Sequence, residues 1–76
     1  MDVSAEIRKA RDLNGLSQKD VADRLGIRQQ MYSYMEKNGS NCKLERFAAL
    51  CVILDMSPYK ILRGLMDDAR VREDRR

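Results

Sequence analysis

The side chains with the greatest potential for specific chemistry lie in one short stretch, RQQMYSYMEK. It opens with Arg28, Gln29 and Gln30, and Ser33 and Tyr34 follow one helical turn later. Glutamine can make paired hydrogen bonds to adenine, and arginine can do the same to guanine or can bind a phosphate. On one exposed helix face, this set has the chemistry needed to contact base edges in a DNA major groove.

Two short helices joined by a tight turn at Gly26 are predicted to position this face. Ser17 can cap the first of them, and Asp20, three residues on, can complete a capping box. Tyr32 and Met35, spaced three apart, predict the inner side of the second helix. The polar residues would also suit an ordinary solvated helix face, so the rest of the chain has to agree with the DNA-binding hypothesis.

Composition limits both the size of the protein and its possible chemistry. The 76 residues, 43% of them hydrophobic, suffice for one small domain, and 15 basic against 12 acidic residues give a net charge of +3. That balance is compatible with nucleic-acid binding without establishing it. The chain has no His, and Cys42 and Cys51 lie outside the usual metal-ligand spacing, so they are expected to be free thiols. We therefore expect no enzyme, no metal site and no cofactor.

The sequence shows no sign of membrane insertion or secretion. No apolar run approaches the roughly 20 residues that span a bilayer. The N-terminal stretch lacks the apolar core of a signal peptide. We expect a cytoplasmic protein that has no membrane partner.

Three more helices are predicted around the central pair. The first begins at Asp2 or Ser4 and ends at Asn14-Gly15, because glycine readily adopts the left-handed conformation. The fourth begins near Lys43, and Ser57-Pro58 starts the fifth. The fourth carries the most apolar segment, which is expected to form the centre of the core, with the following residues at helical spacing: Leu44, Phe47, Leu50, Cys51 and Leu54.

The chain ends in a run of charged residues, DDARVREDRR. This run is either an extension of the fifth helix or a disordered tail. No period-two pattern predicts a strand. The expected fold is all-α, with five short helices in a DNA-binding domain at residues 1–66 and a charged tail at residues 67–76.

The order of these features resembles the phage Cro and repressor type of helix-turn-helix domain. The resemblance covers about Ile7 to Leu62. It is carried by Arg11, by the segments LSQ, VA, LGI, ME and NG in that order, and by the apolar spacing of the fourth helix. It implies a compact five-helix domain whose second and third helices form the helix-turn-helix. It also implies a protein of bacterial or phage type that associates with the nucleoid.

The resemblance also implies roles for particular residues. Gln18 would donate to a backbone phosphate, and Arg11 and Glu36 would form a partly buried salt bridge. Tyr32 would belong to the core, whereas Met31 would pack on helix two or touch a thymine methyl. Arg28 is expected at a phosphate more than at a base, and Gln29, Gln30, Ser33 and Tyr34 at the bases, with the Tyr34 hydroxyl at a phosphate as an alternative. The following loop would lie along the sugar–phosphate backbone through Lys37, Asn38, Ser40, Asn41 and Lys43.

The chain departs from the family pattern at three places. Arg28 stands where Ser or Thr usually caps the recognition helix. Cys42-Lys43 replaces the usual Pro and capping Ser before the fourth helix. Asp55 occupies a turn position usually held by Gly, and a small energetic cost is expected there.

The function implied is a sequence-specific regulator of transcription, most simply a repressor that binds double-stranded DNA as a homodimer. One recognition helix contacts only a few base pairs, so affinity usually requires two half-sites about 34 Å apart. An antitoxin- or immunity-type protein that acts on a protein partner is the alternative. The candidates for the dimer interface are Leu62, Leu65, Met66 and Val71.

Overall fold

The structure is a computed structural model, and it describes residues 1–74, which form five α-helices and no strand. The all-α fold predicted from the sequence is confirmed. The first four helices have 8 to 11 residues, and α5 has 17 because it includes residues 67–74 of the charged run. The helices are α1 Val3–Leu13, α2 Gln18–Leu25, α3 Gln29–Lys37, α4 Leu44–Ile53 and α5 Pro58–Asp74, with a 3-10 turn at Gly39–Asn41.

Local sequence determines where α1 and α2 begin and end. The Asp2 carboxylate accepts a hydrogen bond from the backbone three residues on, so Asp2 rather than Ser4 caps α1. The predicted capping box at the start of α2 is confirmed. Ser17 Oγ accepts from the Asp20 amide at 3.0 Å, and the Asp20 carboxylate accepts from the Ser17 amide at 2.9 Å. Gly26 ends α2 with φ 71°, a left-handed conformation that glycine adopts without strain.

Helices α3 and α4 begin without a side-chain cap, as the departures from the family pattern predict, whereas α5 has one. Neither Arg28 before α3 nor Lys43 before α4 makes a side-chain capping hydrogen bond. Asp55, in the turn before α5, has φ 52°, which confirms the left-handed geometry expected there. Ser57 Oγ accepts a hydrogen bond from the Lys60 amide at 3.3 Å, so Ser57 caps α5.

The core lies where the helices meet, with α5 contributing only its first turns. Tyr32 is fully buried, which confirms its predicted place in the core, and Leu50 is equally buried on α4. Leu44, predicted to face inward, is instead 77% exposed, because it lies at the start of α4 on the side away from the core. The buried cluster consists of Val3, Ile7, Val21, Ala22, Tyr32, Met35, Leu50, Leu54 and Ile61.

Helix α5 continues into the predicted tail as far as Asp74. Residues 67–74 are helical, and the last two residues of that tail, 75 and 76, lie outside the described residues. Exposed ion pairs accompany this extension, with Asp67 at 4.0 Å from Arg63 and 3.5 Å from Arg70. Across residues 1–74, no helix is long and apolar enough to cross a membrane.

A close approach of two backbones joins α1 to the segment that follows α3. Ser4 Oγ donates to the Lys37 carbonyl oxygen at 2.9 Å and accepts from the Gly39 amide at 2.9 Å. A Cβ atom at Gly39 would lie 2.9 Å from the Ser4 backbone nitrogen, which is closer than such atoms approach. Glycine is therefore required at position 39 by the lack of space.

Candidate nucleic-acid interface

The outer face of α3 presents a continuous set of polar side chains. Gln30, Tyr34 and Lys37 are exposed and lie within about 60° of one another around the helix axis. Tyr34 is the most prominent, with 69% of its surface exposed. Gln29, which is exposed, and Ser33, which is half-buried, lie along one edge of this face. The structure thus places together the four residues expected to contact bases.

The other edge of the α3 face adjoins α4. Met31 is 46% exposed, and its sulfur lies 3.4 Å from Arg46 Nη1. The same nitrogen lies 3.6 Å from the sulfur of Met35, which is buried. Sequence reasoning gave no weight to Arg46, because an arginine in the first turn of a helix resembles any solvated cation.

Arg28 lies at the start of α3, beside the polar face. Its backbone is extended, with φ −71° and ψ 148°, and its side chain is exposed. In the part of the chain that the structure describes, Arg28 makes neither an ion pair nor a side-chain hydrogen bond. The guanidinium is thus available to a phosphate or a base at the N-terminal end of the recognition helix.

A buried polar network fixes the opposite side of α3. Arg11 donates two hydrogen bonds to the Glu36 carboxylate, from Nε at 2.9 Å and from Nη2 at 3.1 Å. Arg11 Nη1 also donates to the Leu16 carbonyl oxygen at 3.1 Å, and Gln18 Nε2 donates to Glu36 at 3.3 Å. Glu36 is only 2% exposed. The network therefore connects α1 and the start of α2 to the last turn of α3.

The protonation equilibria within this network favour a charged pair. Burial acts to raise the pKa of Glu36, but the hydrogen bonds it accepts, from Arg11 above all, outweigh burial and leave that pKa lowered. The bond to Glu36 also raises the pKa of Arg11. Burial, and then the neighbouring Glu36 charge, raises the pKa of Tyr32, whose hydroxyl is buried without a hydrogen bond of good geometry. Both Glu36 and Arg11 are therefore ionised at neutral pH.

Gln18 can serve two partners at once. It is the first residue of α2, where backbone amides that have no partner within the helix favour an anion. One N–H of its side-chain amide binds Glu36, and the second remains for another acceptor. The observed contact is thus compatible with the phosphate contact implied by the resemblance.

The segment after α3 presents most of its expected backbone-contacting groups to solvent. Lys37, Ser40, Asn41 and Lys43 are exposed. Asn38 is half-buried, and its side-chain amide donates to the Tyr34 carbonyl oxygen at 3.0 Å, so that amide is partly used in closing α3.

The cysteines show no sign of activation. Cys42 is half-buried and Cys51 is buried, and both are free. Burial raises the pKa of both thiols, which keeps them protonated at neutral pH. Among residues 1–74, no group of three or more His, Cys, Asp or Glu side chains could bind a metal.

The four candidates for the dimer interface do not share one surface. Leu62 and Met66 are about half exposed and lie on the same side of α5. Leu65 instead packs against the core of its own chain. Val71 follows Leu62 by nine residues, which places it about 180° away around the helix. Leu65 and Val71 thus lie apart from the surface that Leu62 and Met66 share, and a dimer interface through all four residues stays a prediction.

Helices α4 and α5 share an apolar surface, to which Leu62 and Met66 belong. Leu44, Ala48 and Val52 recur every four residues along α4, and all are exposed. Together with Pro58 and Leu62 of α5 they line a groove of about 330 Å³. The four-residue spacing was visible in the sequence, but only the fold shows that it faces solvent. We call Leu44, Ala48, Val52, Pro58, Leu62 and Met66 the α4–α5 stripe.

A capped α2, a left-handed turn at Gly26 and a polar-faced α3 define a helix-turn-helix protein. In agreement with this geometry, the family model described as helix-turn-helix matches residues 7–61. The chain therefore belongs to the helix-turn-helix family of the Cro and repressor type. In general terms it is a DNA-binding regulator of transcription whose partner is double-stranded DNA. No curated protein and no solved structure matches the chain significantly.

Proposed function

We propose that this protein is a transcriptional repressor that binds a pseudo-palindromic operator as a homodimer, with α3 in the major groove. The observation that carries this proposal is the division of α3 into two sides. Its outer face exposes amide and hydroxyl groups, whereas its inner side ends in the buried Arg11–Glu36 pair. A helix presented rigidly in this way can place hydrogen-bonding groups at base edges without reorganising.

Different DNA contacts are proposed for the outer face of α3 and for the residues around it. Gln29, Gln30, Ser33 and Tyr34 would contact base edges, and Arg28 a phosphate at the edge of the groove. Phosphate contacts fix the orientation of the protein and supply affinity without distinguishing sequences. We assign such contacts to Gln18, Lys37, Asn38, Ser40, Asn41 and Lys43.

The homodimer is proposed to form through the α4–α5 stripe. Contiguous exposed apolar residues on a small protein usually mark an interaction surface. A two-fold symmetric dimer would present two copies of α3 to successive major grooves. In this proposal residues 1–66 are the DNA-binding domain, and residues 67–76 are its charged C-terminal tail.

The test of DNA recognition is binding as a function of salt and of sequence. A duplex selected by the wild-type protein from a random-sequence pool should bind at least about a thousandfold more tightly than random duplex. Affinity should fall steeply as salt is added. Gln29→Ala and Gln30→Ala should reduce the preference, each by about 1–3 kcal/mol. Lys9→Ala, on the exposed side of α1, is the control and should leave the preference intact.

The outcome that contradicts the base-contact assignment is equally definite. If both glutamine variants keep the wild-type preference, α3 does not contact bases through these residues. A wild-type protein that binds random and selected duplexes equally would contradict sequence-specific regulation as a whole.

The dimer interface can be tested with substitutions on opposite sides of α5. Leu62→Lys should shift the protein toward monomer in sedimentation measurements without DNA, because it places a charge in the apolar stripe. Val71→Lys adds the same charge about 180° away and should leave the dimer intact. A dimer that is insensitive to Leu62→Lys would contradict the proposed interface.

The α4–α5 stripe also motivates a second candidate function, an antitoxin- or immunity-type protein that binds another protein there. In that case an equimolar partner should co-purify with the chain, and DNA binding should be weak without it. A homodimer that binds its operator with full affinity when alone would contradict this second function.

A further inference from the structure

A second groove lies beside the α3 face, between α3 and the beginning of α4. It has a volume of about 170 Å³, and Met31 and Tyr34 line it on the α3 side. Asn41, Lys43 and Arg46 line the other side, and no acidic residue takes part in the lining. Two cations thus share a small groove next to the side chains proposed to contact bases.

The guanidinium of Arg46 has no acidic partner within residues 1–74. Its contacts are the sulfur atoms of Met31 and Met35, and thioethers are weak hydrogen-bond acceptors. Arg28 likewise makes no ion pair among the described residues, whereas Arg11, Arg63 and Arg70 each lie within 4.0 Å of a carboxylate. Arg46 is also only partly exposed, so water satisfies it less fully than it satisfies a surface arginine.

The two sulfur contacts also restrict where this guanidinium can lie. Methionine is polarisable and packs well against neighbouring groups, so Met31 and Met35 form an apolar support for Arg46. The planar guanidinium has five N–H donors, and the sulfur contacts involve only Nη1. The remaining donors suit an acceptor with two or more anionic oxygens, and phosphate has that geometry.

From this arrangement we propose that Arg46 binds a DNA backbone phosphate in the groove between α3 and α4, with Lys43 beside it. The inference rests on the proposed function, because it presumes that α3 enters the major groove. The contact fixes the distance between α3 and the DNA backbone at the edge of the major groove. Arg46 therefore contributes affinity for any duplex and no preference among sequences.

The experiment compares Arg46→Met, Arg46→Lys and wild type on the selected duplex and on random duplex over a range of salt concentrations. Arg46→Met preserves much of the side-chain bulk and removes the charge. It should weaken binding to both duplexes by about tenfold. It should also lower the slope of log affinity against log salt by about one. Arg46→Lys keeps the charge and should retain the slope.

A matched control separates this contact from a general loss of charge. Lys9→Met makes the same change in net charge on α1. Lys9 lines a different groove, which α1 forms with the start of α5 and which Lys60 also lines. It should leave the salt slope within error of wild type. Thermal unfolding of each variant shows whether it is folded, and Arg46→Gln replaces Arg46→Met if the latter is not.

Three results would overturn the inference. An unchanged slope in folded Arg46→Met would show that Arg46 only supports α3. A reduced preference with an unchanged slope would show that Arg46 contacts a base. Both of these results leave the proposed function intact, whereas a wild-type protein that binds no duplex would overturn the two proposals together.

Discussion

Ion pairs occur both in the α1–α3 part of the molecule and along α5, but their surroundings differ. In the Arg11–Glu36 pair the side chains are 16% and 2% exposed, and the pair connects residues 25 positions apart. In the Arg63–Asp67 pair both side chains are 57% exposed and lie one turn apart on the same helix. The buried pair fixes one helix relative to others, whereas the exposed pair can only support the helix that carries it.

The exposed side chains also differ between the α1–α3 part and the α4–α5 part of the molecule. The α1–α3 part buries one charged pair, Arg11–Glu36, and exposes polar groups on α3, which suits a polar partner such as DNA. The α4–α5 part has no buried ion pair among its described residues and exposes apolar side chains, which suits a protein surface. The difference shows that a buried ion pair fixes the orientation of the helix whose polar groups are exposed. Exposed apolar side chains lie instead where another chain is proposed to bind.

The strongest test of the comparison removes one member of each pair. Arg11→Leu leaves Glu36 buried without its partner and should cost about 3–5 kcal/mol of unfolding free energy. Asp67→Asn breaks the exposed pair and should change the unfolding free energy by less than about 1 kcal/mol. Urea unfolding of both variants measures the difference. Equal effects would show that burial does not distinguish the two pairs.

The pH dependence of stability gives a second test. The pKa of Glu36 is lower in the folded protein than in the unfolded chain, so its ionised form stabilises the fold above the unfolded value of about 4.3. That stabilisation is lost as the pH falls through the folded pKa. From about pH 6 to about pH 3, wild type should therefore lose more stability than Glu36→Gln, which does not titrate at this position. Parallel losses in the two proteins would show that Glu36 contributes nothing to the acid response.

The start of α2 and the start of α3 allow a smaller test within the helix-turn-helix itself. Ser17→Ala removes the observed cap and should cost about 1 kcal/mol. Arg28→Ser supplies a cap where none exists and should stabilise the protein by about 0.5–1 kcal/mol. The same Arg28→Ser change should weaken DNA binding, because the cation is lost. A variant that gains stability without losing affinity would exclude Arg28 from the interface.

The smallest effect is expected at Asp55. A residue other than glycine with φ 52° is strained, and glycine removes that strain while adding conformational freedom to the unfolded chain. Asp55→Gly should therefore stabilise the protein by less than about 1 kcal/mol, and Asp55→Ala should destabilise it by a similar amount. The urea midpoints of the two variants should lie on opposite sides of the wild-type midpoint.

Features determined by neighbouring residues could be predicted from the sequence. The capping box at Ser17 and Asp20 and the turn at Gly26 depend on a few residues within one or two turns. The exposure of Leu44 depends on which helices cover α4, and helical spacing alone does not reveal that. The length of α5 was undecided because its charged C-terminal residues suit a solvated helix as well as a disordered chain.

The candidate site also contains features that local sequence predicts and features that only the whole fold determines. The polar face of α3 follows from helical spacing, so Gln29, Gln30, Ser33 and Tyr34 can be grouped from the sequence alone. The contact of Arg46 with Met31 cannot, because it joins two helices whose relative position is a product of the whole fold. The separation of Val71 from Leu62 follows from helical spacing only if α5 continues through residue 71.

The close approach of Gly39 to Ser4 has a consequence for protein engineering. Because no side chain fits at position 39, a library built to change DNA preference should keep this glycine and should leave Ser4 unchanged. The neighbouring Ser40 and Asn41 are exposed and free of this constraint. Substitutions at Ser40 and Asn41 can alter contacts with the DNA backbone. The hydrogen bonds of Ser4 to Lys37 and Gly39 would still hold the segment after α3 against α1.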